Sequence, residues 1–214
     1  MTAVALGRDF QFKASRLPVC PTGIAEVDAL AGGLPQGCLT ELYGPASSGR
    51  TTLMLATLAQ STLRENVCAL VDTSDAFDPS SASAAGVRLE RLLWVRCGSN
   101  AEHALKATDL LVQSGGFGLV VMDLADTPAI TARRISMTSW FRLRRAVEHT
   151  PTVLLVLGQQ PLAGTCASLA LEMRRDRVAW SGAHGCSRLL RGIRVRLDRR
   201  KPVPALAASF DSRW

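Results

Sequence analysis

Five short apolar runs recur along the chain as far as Leu157: Leu39–Tyr43, Val67–Val71, Leu92–Val95, Leu119–Met122 and Val153–Leu157. Between most of them lie stretches of helical period, Thr51–Arg64, Ala101–Gln113 and Arg134–Glu148. Near-continuous apolar strands alternating with amphipathic helices predict an α/β fold, a mostly parallel sheet covered on both faces. After Pro161 the pattern changes. Ser168–Met173, Arg177–Trp180, Leu189–Leu197 and Ala205–Phe210 are short and separated by Gly, Pro or charge clusters, and Ile193–Leu197 alternates apolar with basic residues. That alternation predicts a small antiparallel extension of the sheet with one wet, basic face. The Ser/Ala stretch Pro79–Ala85 predicts a loop running into a short helix.

Composition narrows the class. With 214 residues, 47% hydrophobic and 20% charged, the chain can bury one sizeable core, and one domain is the default. No run approaches the ~18 apolar residues of a membrane helix, and Met1–Phe12 has no apolar stretch ending in a cleavage-like site. These features predict a soluble, cytoplasmic protein without a membrane partner. Cys20, Cys38, Cys68, Cys97, Cys166 and Cys186 stand singly, without the spacing of a zinc site or a disulfide framework, so buried thiols are expected. The net charge of +7 is unevenly placed: residues 1–126 carry 9 basic and 13 acidic residues, residues 127–214 carry 16 basic and 5 acidic. A half with a balance of +11 points to a polyanionic partner. Arginine outnumbers lysine 22 to 3, which codon usage alone explains; the clustering is the informative part.

The strongest local signal is Gly44-Pro-Ala-Ser-Ser-Gly49-Arg50-Thr51-Thr52, between an apolar run and a helical one. A phosphate loop needs this setting. Glycines let backbone N–H groups turn inward, the helix N-terminus adds positive potential, and the Thr51 hydroxyl is placed to hold Mg²⁺. The position normally filled by lysine is Arg50, whose planar fork is larger than an ammonium and differs in reach.

The flanks of this loop resemble the RecA recombinase core. The resemblance rests on Thr22-Gly23, Asp28, Gly32-Gly33-Leu34-Pro35, Gly37, Glu41-Leu-Tyr-Gly-Pro and Ser47-Ser48-Gly49 with Thr51-Thr52. It continues through Val71-Asp72, Asp78-Pro79, Gly86-Val87, Ser114-Gly115, Val120–Asp123 and Gln159, and more weakly over Gly192–Pro204. It implies a RecA-like phosphate-loop core flanked by helices, with Gly44, Ser47, Ser48, Gly49, Arg50, Thr51, Thr52, Asp78, Asp123 and Gln159 at a nucleotide. In it Thr51 and Asp123 would serve the metal, and Gln159 would sense the γ-phosphate; the implied cofactors are ATP and Mg²⁺. Asp72 ends the neighbouring strand and reads as structural.

Departures from the family weaken catalysis. The glutamate that activates water in RecA proteins aligns with Ser74, with Asp75 next to it, and the adenine-stacking tyrosine aligns with Ser81. Loss of a general base alone removes a factor of ~10²–10⁴, so hydrolysis is doubtful and no catalytic residue is assigned. Met1–Cys20 holds at most a stub of the filament-forming N-terminal segment, and the DNA-binding loop after Gln159 is cut to a tight turn. Such a truncated core resembles the ImuA or SulA-related group. The likeness implies an accessory role in SOS-linked DNA repair and translesion synthesis, with single-stranded DNA, RecA, the Y-family-like protein ImuB and an error-prone C-family polymerase as partners. A minimal DNA-dependent ATPase and a SulA-like inhibitor of cell division are the alternatives.

Two basic groups are the DNA-binding candidates. Arg133, Arg134, Arg142, Arg144 and Arg145 follow Asp123, where RecA carries its first DNA-binding loop; a solvated helix covering the sheet explains them equally well. Arg188 to Lys201 holds seven cations in fourteen residues, among them Arg194, Arg196, Arg199, Arg200 and Lys201. Arg194 and Arg196 share a strand face, and Arg199-Arg200-Lys201 is expected to continue as a turn. Trp94, Trp140 and Trp180 read as core or interface anchors, and Trp214 as a partner anchor. The expected organisation is an N-terminal stub (1–20), a core (21–161) and a basic extension of the same domain (162–214).

Overall fold

The computed structural model describes residues 18–181, 189–202 and 205–213. Strands β1 (Val19–Cys20) and β2 (Leu34–Pro35) pair as a ribbon around helix α1 (Ala25–Ala31). The main alternation follows: β3 (Cys38–Tyr43), α2 (Arg50–Leu63), β4 (Cys68–Asp72), α3 (Pro79–Ala84), β5 (Leu92–Arg96), α4 (Ala101–Ser114) and β6 (Leu119–Asp123). Helices α5 (Ala129–Ala132) and α6 (Met137–Val147) lead to β7 (Val153–Gly158), and three longer strands follow, β8 (Leu169–Ser181), β9 (Leu189–Lys201) and β10 (Leu206–Arg213).

The eight strands of the main sheet run in the order β10-β9-β8-β3-β7-β6-β4-β5. From β8 to β5 every pair is parallel; β9 is antiparallel to both β8 and β10. This is the mostly parallel, helix-flanked sheet with a small antiparallel extension that the apolar pattern implies. Strand β7 shows why. Val153, Leu155 and Leu157 face one apolar cluster with Leu53, Met54 and Leu58 of α2. Leu154 and Val156 face the other, with Trp140, Leu143 and Val147 of α6. A strand covered on both faces gains nothing from polar alternation, so it reads as an unbroken apolar run.

The structure differs from the sequence pattern in four places. The helix expected at Arg134–Glu148 begins only at Met137, because Ser136 caps it by accepting the Ser139 N–H at 3.1 Å. Arg134 therefore lies outside α6. Ser168–Met173 and Arg177–Trp180 are one strand, β8, with register shifts at Ala170/Leu171, Arg175/Arg177 and Ala179/Trp180. Arg199, Arg200 and Lys201 continue β9 instead of forming a turn, since Arg199 pairs with Leu171 and Leu206, and Lys201 pairs with Ala170. Helix α1 follows no apolar run singled out in the sequence; Asp28 anchors it by accepting the Thr22 N–H at 2.8 Å and hydroxyl at 2.9 Å.

Candidate nucleotide-binding site

Strand β3 delivers the chain to the carboxyl edge of the sheet at Tyr43, and the loop to α2 turns through left-handed residues Ser47 (φ 58°) and Gly49 (φ 91°). Two glycines there are required by contact. A Cβ at Gly44 would stand 2.1 Å from the carbonyl oxygen of Met173 in β8, and one at Gly49 would stand 2.6 Å from Cγ2 of Val195 in β9. The loop thus rests directly on the antiparallel extension, and Thr52 Oγ1 of α2 lies 3.4 Å from Ser212 Oγ of β10. Sequence reasoning assigned that extension to polyanion binding and missed its second task of bracing the phosphate loop. The available signal was the buried, apolar half of the alternation, Val195 and Leu197.

Arg50 does not project from this loop. It is 6% exposed, and its Nη1 donates to the carbonyl of Gly158 at 2.6 Å and to that of Ala125 at 3.4 Å. Both acceptors are shared: Gly158 O also takes the Gly44 N–H at 3.2 Å, and Ala125 O also takes Gln159 Nε2 at 3.1 Å. The guanidinium therefore ties the start of α2 to the carboxyl ends of β7 and β6. Burial lowers its pKa, while the charges of Asp123 and Asp126 work in the opposite sense. Asp123 lies in the same cluster and accepts the Ala125 N–H at 2.8 Å. Burial pushes its carboxyl up to about 6; the Ala125 N–H lowers it, the charges of Asp72 and Asp126 raise it, and Arg50 lowers it.

Gly44, Ser47, Ser48, Gly49, Arg50, Thr51, Thr52, Asp123 and Gln159 are brought together at this edge. Asp78 is committed elsewhere: its carboxylate caps α3, accepting the N–H groups of Ser80 at 3.3 Å and Ser81 at 2.9 Å and the Ser81 hydroxyl at 2.5 Å. Asp72 accepts the N–H groups of Ala76 and Phe77 and the Trp94 indole N–H, a structural role. Asp75, the residue nearest the missing general base, pairs with Arg96 at 3.1 Å.

The basic candidates are less free than their density suggests. On the helical side Arg133 bonds Gln160 at 2.6 Å, Arg142 pairs with Asp109 of α4, and Arg144 pairs with Glu148, while Arg134 and Arg145 are exposed. On β9 Arg194 pairs with Asp211, Arg196 with Asp198, and Arg200 with Glu172; Arg199 donates to Leu30 O at 3.4 Å and Lys201 to Gly164 O at 2.5 Å. Arg188 and Trp214 lie outside the described residues. Trp140 is buried at 1% exposure, whereas Trp180 is 51% exposed.

The cradle fits a phosphate group. Its loop adopts the turn that such loops need, the hydroxyl of Ser48 is buried with no hydrogen-bond partner among the described residues, and Thr51 is exposed at the start of α2. A parallel sheet with a glycine-rich loop between a central strand and its helix defines a phosphate-loop α/β protein. The model of the RecA N-terminal domain matches residues 3–134, more than half of the chain, and the chain belongs to that family. It is 44% identical over 115 residues to Protein RecA of Brucella anthropi, covering 53% of this chain and 31% of that protein. To Protein RecA of Methylococcus capsulatus it is 45% identical over 109 residues, 50% of this chain and 31% of that protein. The aligned part thus spans about a third of the length of these relatives. Among the described residues no helix is long and apolar enough to cross a membrane.

Proposed function

We propose that this chain is a RecA-like accessory protein of SOS-linked DNA repair and translesion synthesis, related to the ImuA or SulA-related group, that binds nucleotide without turning it over. The docking of Arg50 carries this reading. A guanidinium held by two backbone carbonyls supports the architecture of the site and is withdrawn from a migrating phosphoryl group. Asp75 is committed to Arg96, and Ser74 has no carboxylate to offer as a base. Mg²⁺ and ATP would be held by the Gly44–Thr52 loop, with Thr51 and Asp123 toward the metal, and Gln159 would report the occupancy of the site. ATP with Mg²⁺ would supply only charge and shape to this surface, so its role is that of a ligand.

Partners follow from the same reading: single-stranded DNA on the basic surfaces, RecA, ImuB and an error-prone C-family polymerase, in the cytoplasm. Residues 21–161 and 162–214 form one folding unit, a division supported by the pairing of β8 with β3 and the seat of Gly49 on Val195. A coupled ATPase assay with Mg²⁺ and single-stranded DNA tests the proposal. Hydrolysis at background level, with nucleotide binding intact and lost in Gly49→Asp, supports it. Robust turnover abolished by Asp123→Ala overturns it in favour of a minimal DNA-dependent ATPase.

A further inference from the structure

The phosphate loop forms one wall of a cleft of about 470 Å³ whose opposite wall is built by Arg175, Val178 and Trp180 of β8 and Leu190 and Ile193 of β9. That volume is within the range of about 300–1,000 Å³ of small-molecule sites. The wall is set by an irregularity in β8. In an unbroken strand, residues 175, 177 and 179 would share a face. The register shift between Arg175 and Arg177 inserts Asp176 and changes the parity, so that Val178 and Trp180 join Arg175 toward the loop. Arg177 and Ala179 line a different surface depression, with Arg191 and Arg194.

The chemistry of this wall complements what the loop lacks. Arg50 is held inward by Gly158 and Ala125, whereas Arg175 is exposed and makes no ion pair among the described residues. Trp180 presents a half-exposed indole beside apolar Val178, Leu190 and Ile193. Across from them Ser48, buried at 1% exposure, lines the cleft with its hydroxyl unpartnered among the described residues. A cation and a phosphate-turned loop on one side of the chemistry, and an aromatic plate on the other, match the polyanionic and the aromatic ends of a nucleoside triphosphate.

We propose that the cleft binds a nucleoside triphosphate with its phosphates between the Gly44–Thr52 loop and Arg175 and its base stacked on Trp180. The inference rests on the nucleotide-binding reading above and adds to it the second wall. Residues of β8 then do what Arg50 and Ser81 do not: Arg175 acts as the mobile cation, and Trp180 as the base platform.

Calorimetric titration of the full chain, with Mg²⁺, by ATP and in parallel by inorganic tripolyphosphate separates the parts. Trp180→Ala is expected to weaken ATP roughly tenfold, the scale of base–aromatic stacking, and to leave tripolyphosphate unchanged, with Trp180→Phe restoring most of the loss. Arg175→Ala is expected to weaken both ligands roughly tenfold, and Arg177→Ala, on the other side of the strand, neither. Urea midpoints of the variants establish that each is folded, and Trp180→Leu, which removes the ring but keeps apolar bulk, replaces the alanine variant if that one does not fold. ATP affinity unchanged in both Trp180→Ala and Arg175→Ala overturns this inference while leaving nucleotide binding by the loop in place. A wild-type chain that binds neither ligand overturns the nucleotide reading itself, and this inference with it.

Discussion

Replacing Asp123 with asparagine is expected to stabilise the metal-free protein at neutral pH. The carboxyl sits at the end of β6, and burial, with Asp72 and Asp126 nearby, lifts its pKa from 3.8 to about 6. A carboxyl whose folded pKa exceeds its unfolded value holds more protons in the folded state. Its contribution to stability is therefore present below the unfolded pKa and lost as pH rises through the folded one. A rise of about two units corresponds to about 3 kcal/mol lost by pH 7. Asparagine keeps an oxygen for the Ala125 N–H and removes the ionisation, but it gives up the attraction of Arg50 and adds two donors without assigned acceptors. A net gain of about 1–2 kcal/mol at pH 7 remains after those losses. Urea denaturation of both proteins between pH 4 and pH 8, without Mg²⁺ or nucleotide, measures the difference, in which the carboxylates remote from position 123 cancel. The gap should be small near pH 4 and open between there and pH 7. A gap that is constant across the range, or that closes as pH rises, refutes the assignment of a destabilising charge to this position. The same charge is what a metal ion at this edge would use, so stability lost in the empty site is recovered on binding.

Three further outcomes follow from particular contacts. Glu41, 3% exposed, accepts the N–H groups of Leu162 at 2.5 Å and Ala163 at 2.6 Å and so fixes the short segment after β7. Glu41→Ala leaves two donors unpaired and should cost about 2–5 kcal/mol in urea unfolding, with Glu41→Gln costing less because it keeps an acceptor. Arg50→Lys should lower the unfolding free energy by about 1 kcal/mol, because an ammonium on a shorter stem does not reach the carbonyls of Gly158 and Ala125 together as Nη1 does, and should tighten phosphate binding measured by titration. If single-stranded DNA binds the extension, Arg177→Ala with Arg191→Ala should flatten the dependence of affinity on log salt by up to about 0.7 per arginine. Arg194→Ala with Arg196→Ala should flatten it less, since Asp211 and Asp198 already neutralise those two; equal changes would mean that the ion pairs open on binding.

What was legible in the sequence is what local pattern dictates. Strands β4, β6 and β7 are covered on both faces, so burial alone writes them as continuous apolar runs, and the loop Gly44–Thr52 is contiguous. The rest depends on residues that meet only in the fold. Nothing in Ile193–Leu197 states that the apolar side of the alternation presses on Gly49, because that contact joins residues far apart in the chain. Charge counting along the chain is incomplete for the same reason. The cluster from Arg188 to Lys201 holds one acid, Asp198, yet Glu172 and Asp211 arrive from the neighbouring strands and neutralise much of it. Among the described residues, the cations of β8 and β9 with neither an ion pair nor a hydrogen bond are Arg175, Arg177 and Arg191; only Arg191 belongs to the cluster read from the sequence.

Arg50 shows how the two levels combine. Sequence alone marks it as the one position where arginine and lysine differ in chemistry, and leaves open whether the side chain fills the phosphate site or blocks it. The structure supplies a third state, in which the side chain turns inward onto carbonyls contributed by residues 75 and 108 positions away. The length of the side chain suits that task, since it carries one nitrogen, Nη1, to the carbonyls of both Gly158 and Ala125, whereas lysine is a shorter stem with a compact point charge that binds best where one anion sits. The substitution therefore converts a residue made to follow a phosphate into one that locks β6, β7 and α2 together at their shared edge. Once that cation is fixed, a further side-chain cation for a nucleotide's phosphates comes from outside the loop. Arg175, on the face of β8 that the irregularity turns toward the loop, is the cation placed there.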